Sequence, residues 1–74
     1  RELAIIKISL KQNEINNVKN IAKKYQAKLI FENIDNLAFE ITNSPDNINA
    51  FIIKLDNLGK IDVSRTGLIA ILKN

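Results

Sequence analysis

Apolar residues in this chain recur in two rhythms, and the order in which those rhythms alternate constrains the fold more than any single residue. Over residues 13 to 26, Ile15, Val18, Ile21, Ala22 and Tyr25 fall three and four apart with Asn and Lys between them, the stripe of an amphipathic helix. The same spacing returns at Ile48, Phe51, Ile52, Leu55 and Leu58. Four other stretches, residues 2 to 10, 28 to 34, 37 to 42 and 61 to 73, are short and dense in Ile, Leu and Phe, as strands are.

Local punctuation agrees with this division. Ser44 is a good N-cap, Pro45 has the preset φ of a first helical residue, and Asp46 sets negative charge beside the positive end of the helix dipole. A helix is therefore predicted over residues 45 to 58, with Gly59 supplying a left-handed residue that closes it. Asp35-Asn36 reads as a two-residue hairpin turn tolerant of φ > 0, and Gly67 as a bulge or bend in the last strand.

The order βαββαβ implies an α+β ferredoxin-like sandwich over residues 1 to 74, a four-stranded antiparallel sheet with both helices on one face. Right-handed crossovers place the first and third strands at the centre and the other two at the edges. Ile6, Ile8, Val18, Phe39, Phe51 and Leu55 are the expected core. A domain this small buries only about 60% of its unfolded surface, and its strands carry a second apolar set, Leu3, Ile5, Ile69 and Ile71, on the face the helices leave open. Such a patch implies an interface, and a homodimer is expected.

The composition leaves little room for catalysis. There is no His and no Cys, hence no imidazole or thiolate to serve as nucleophile, base or metal ligand. Glu14, Glu32, Glu40 and Asp46 are dispersed, so no catalytic, cofactor or metal residue is assigned. Acylphosphatases share the topology but need a glycine-containing phosphate loop after the first strand, where this chain has Lys11-Gln12-Asn13-Glu14. RNA-recognition modules stack bases on aromatics of the central strands, and only Phe39 is available here. The net charge of +3 comes from scattered lysines, with Lys19, Lys23, Lys24 and Lys28 a solvated helix face. No apolar run nears the roughly 20 residues of a membrane span. A cytoplasmic protein with neither nucleic-acid nor membrane partners is expected.

Several motifs in order point further. Arg1-Glu2-Leu3-Ala4, Tyr25-Gln26-Ala27-Lys28-Leu29-Ile30 and Thr42-Asn43-Ser44-Pro45-Asp46-Asn47-Ile48 are followed by Phe51, Gly59 and Arg65-Thr66-Gly67. Along its whole length the chain resembles the C-terminal domain of the small, regulatory subunit of acetohydroxyacid synthase (acetolactate synthase). It departs at Asn43, where that family often has Gly, at Asn47 for a frequent Lys, and at Asn57-Leu58 for Pro-Phe.

The resemblance implies a regulatory, non-catalytic domain of branched-chain amino acid biosynthesis (valine, isoleucine and leucine). It would follow an N-terminal ACT domain and help to bind and activate a catalytic subunit that carries thiamine diphosphate, Mg and FAD. Another ACT-like sensing module, or an RNA-binding module, is the alternative. Arg65, the only internal arginine, has a planar fork suited to a carboxylate. Arg65, Thr66 and Gly67 therefore join Leu3, Ile5, Ile69 and Ile71 as interface or regulatory candidates.

Overall fold

In β1 (Glu2–Ser9) the side chains of Ala4, Ile6 and Ile8 turn to one side and are buried, while Leu3 and Ile5 on the other side stay half-exposed. This computed structural model describes residues 1–68, so Ile69 and Ile71 lie outside the described residues. After a single 3₁₀ turn come α1 (Ile15–Lys24), β2 (Lys28–Glu32), β3 (Asn36–Asn43), α2 (Pro45–Asp56) and β4 (Lys60–Leu68). The strands form one antiparallel sheet in the order β2-β3-β1-β4, with the first and third strands central as expected.

Val18 and Ala22 of α1 and Ile48, Phe51 and Leu55 of α2 close over Ala4, Ile6, Ile8, Leu37, Phe39 and Ile41 in one continuous core. All six predicted core residues are in it. Phe51 sits between two rings, edge-on to Phe39 at 6.0 Å and tilted against Tyr25 at 5.5 Å between centroids.

Ser44 caps α2 as predicted, its hydroxyl accepting from the Asn47 N–H at 3.2 Å. Asn43 stays extended and adds a second cap, its Oδ1 accepting from the Ser44 N–H at 2.8 Å and from Asn47 Nδ2 at 2.9 Å. The start of α2 is thus occupied by its own neighbours.

Two local expectations are corrected. Gly59 does not adopt a left-handed conformation. Its value lies in close approach, because a Cβ there would collide with the Ser9 carbonyl oxygen and press on Ile8 and Leu10. The left-handed helix end belongs instead to α1, where Gln26 has φ 60° and the Ala27 N–H reaches the Ala22 carbonyl at 2.9 Å, a Schellman closure. The hairpin is also displaced by one residue. Asn33 N–H donates to the Asn36 carbonyl at 2.9 Å, so Ile34 and Asp35 are the central pair, with no positive φ. The Asn33 side chain holds this turn by accepting from the Asp35 and Asn36 N–H groups, which removes the need for a left-handed residue.

Candidate functional site

Arg65, Thr66 and Gly67 lie at a bulge in β4. Ala4 pairs with Arg65 but Glu2 pairs with Leu68, so β4 carries one extra residue between these rungs. Each member of the triplet repairs what the bulge disrupts. Gly67 takes φ 74°, open to glycine at no steric cost. Thr66 Oγ1 accepts from the Leu3 N–H and donates to the Leu3 carbonyl, both at 3.1 Å, standing in for the missing backbone ladder. Arg65 spreads its fork over Glu2, Nε at 3.0 Å from Oε2 and Nη2 against Oε1, while Nη1 donates to Asn49 Oδ1 on α2. Gly67 N–H donates to the same Glu2 Oε2 at 3.0 Å.

Glu2 is the one buried charged residue of the described core, 4% exposed, and every buried side-chain polar atom among the described residues has a partner. The Arg65 hydrogen bonds hold its carboxyl below the usual carboxylate range, and Glu2 in turn raises the Arg65 guanidinium. Sequence reasoning singled out Arg65 and missed both Glu2 and Asn49. The available signal was Glu2 itself, a carboxylate at the head of an otherwise apolar strand.

The second feature is the open sheet face. Leu3 and Ile5 are on it as expected, joined by Ala38, Ile30 and Phe31. Ile30 and Phe31, 46% and 54% exposed, were not foreseen there. They reach it because β2 is bulged. Leu29 pairs with Phe39 and Phe31 with Ala38, leaving Ile30 as the extra residue and turning Phe31 away from the helices. Glu32 falls on the helix side, where Lys19 of α1 meets it at 3.0 Å.

A family model described as the small subunit of acetolactate synthase matches residues 1–74. The chain belongs to the acetolactate synthase small-subunit family. The match is to the C-terminal part of that subunit, a regulatory subunit, and membership implies association with the acetolactate synthase catalytic subunit. Within this family domain, Glu2-Leu3 and Arg65-Thr66-Gly67 are two halves of one clasp. No helix among the described residues is long and apolar enough to cross a membrane.

Proposed function

We propose that this domain is a non-catalytic part of the acetolactate synthase small subunit that helps to bind and activate the catalytic subunit. The condensation of 2-oxo acids takes place on that partner, with its thiamine diphosphate, Mg and FAD. An N-terminal ACT domain of the same subunit carries amino-acid feedback, and the subunit acts in the cytoplasm as a homodimer. The observation that carries this reading is the family match over residues 1–74. The clasp supports it, since it makes the head of β1 and the bulge of β4 one rigid edge against which a neighbouring domain or subunit can bear.

The test is acetolactate formation by purified catalytic subunit with and without the full-length small subunit. Parent subunit should raise the rate. Arg65→Lys, which keeps the charge but loses the planar fork, should raise it less at unchanged circular dichroism. No effect of the parent subunit would overturn the activating role, and an Arg65→Lys subunit equal to parent would remove the clasp from it.

A further inference from the structure

We propose that the cleft between α1 and the free edge of β2 docks an extended acidic segment of the catalytic subunit, which adds to the sheet as a fifth strand, seats one apolar side chain in the cleft and sets a carboxylate on Lys23. This rests on the reading that the domain helps to bind the catalytic subunit, and it names the surface and the chemistry of what that surface receives.

Three features meet at this edge, and the first is backbone. β2 ends the sheet, and all five of its residues are exposed. Asn33 is hydrogen-bonded to Asn36 across the hairpin, and bonded and open rungs alternate in an antiparallel ladder. Glu32, on the next rung opposite Leu37, therefore turns its N–H and carbonyl away from β3. An unpaired edge of this kind is where an extended partner segment adds a strand.

The second feature is a socket beside that edge, on the helix side of the sheet. Ala22, Ala27, Leu29 and Phe39 floor a hollow of about 200 Å³, with Lys19 and Lys23 of α1 at its rim. Leu29 is left 37% exposed here although it is in register with Phe39 of the core. Successive side chains of a strand point to opposite faces, so alternate side chains of an added strand reach the helix side, where the hollow can take an apolar one.

The third feature is charge. Glu32 is the carboxylate on the helix side of β2, and Lys19 already holds it at 3.0 Å. Lys23 enters no ion pair among the described residues. Its neighbours one turn away on α1 and beyond it are Lys19, Asn20, Gln26 and Ala27, and the hollow adds Leu29, so it faces no free carboxylate of its own chain. A second copy fits this edge poorly, because two-fold pairing through β2 sets the Lys19–Lys23 side of each α1 toward the other, and a bulged edge resists such pairing. The family's association with the catalytic subunit supplies the acidic partner.

The experiment titrates purified catalytic subunit with full-length small subunit and reads the dissociation constant by biolayer interferometry, each variant being first checked for unchanged circular dichroism. Lys23→Glu should raise the constant about tenfold or more. Lys54→Glu, the same charge change on the exposed side of α2, should move it by less than about twofold. Glu32→Pro deletes the outward N–H, which an edge strand tolerates, and should bind about fivefold more weakly than Glu32→Gln, which loses only the ion pair with Lys19. If the proline unfolds the strand, the lysine pair decides alone. Equal effects of Lys23→Glu and Lys54→Glu, or of Glu32→Pro and Glu32→Gln, would overturn the proposal. So would weakened self-association of Glu32→Pro with catalytic binding retained, which would give the edge to a second copy. Parent binding with indifferent variants removes this site alone, whereas a parent subunit that does not bind removes the underlying reading with it.

Discussion

Both carboxylate oxygens of Glu2 are gripped by the guanidinium of Arg65, 63 residues further along the chain. The pair closes the junction of the first and last strands at the β4 bulge. Removing one member would leave the other with its polar groups unmatched in a crowded site, which is the costly way to lose such a pair.

The Glu2 carboxyl is held below its ordinary range, so the stabilisation it provides is complete above the pKa of the unfolded chain, about 4.3, and is lost as pH falls through the lower folded value. Thermal melts of parent and Glu2→Gln should differ most near neutral pH. The gap should close steadily below about pH 4. A gap independent of pH would show that the charge on Glu2 does not matter.

Gly59→Ala should destabilise the domain by about 2 kcal/mol or more, since the new methyl meets the Ser9 backbone carbonyl, which cannot move aside as a side-chain tip can. Urea titration measures this as a lower midpoint at constant m-value. An unchanged midpoint would mean that β1 and the turn before β4 separate easily.

Gln26→Gly should stabilise by about 0.5–1 kcal/mol, because glycine relieves the left-handed strain at φ 60° and gives back part of the gain as unfolded-chain entropy. Gln26→Val, β-branched at the same φ, should move the midpoint the other way. The two variants together separate backbone strain from any contact the side chain makes.

Ser44→Ala removes the oxygen that accepts the Asn47 N–H, at a cost of about 1 kcal/mol. Asn43 already holds the Asn47 side chain, so Asn43→Ala combined with Ser44→Ala should cost more than the sum of the two single changes. Simple additivity would mean that the caps act independently.

Strand order and core were legible because a period of two or of 3.6 is written locally, in neighbours such as Ile6 and Ile8 or Phe51 and Leu55. What escaped the sequence depends on register. Phe31 stands two positions from Leu29, which a period of two would set on the same face, and only the extra Ile30 sends it to the open face. Arg65 stood out as the only internal arginine, yet its carboxylate is set by which residue of β1 the bulge brings opposite. Gly59 was recognised as necessary for the wrong reason, because crowding by Ser9 has no local trace. The hairpin moved by one residue because the Asn33 side chain outweighed the backbone preference of the Asp35-Asn36 pair.

The clasp also bears on how the domain yields to force. Glu2 pairs with Leu68 at one end of the β1–β4 ladder, and Ser9 with Lys60 at the other. Tension applied between residues 1 and 68 therefore loads one end of the ladder and parts it rung by rung, instead of shearing every hydrogen bond at once. A zipper of this kind is weak apart from its first tooth. Here that tooth is Glu2 with Arg65, Thr66 and Gly67 around it, so mechanical resistance is concentrated in a single corner. A pull transmitted from either side should meet one sharp threshold, then little until the helices let go.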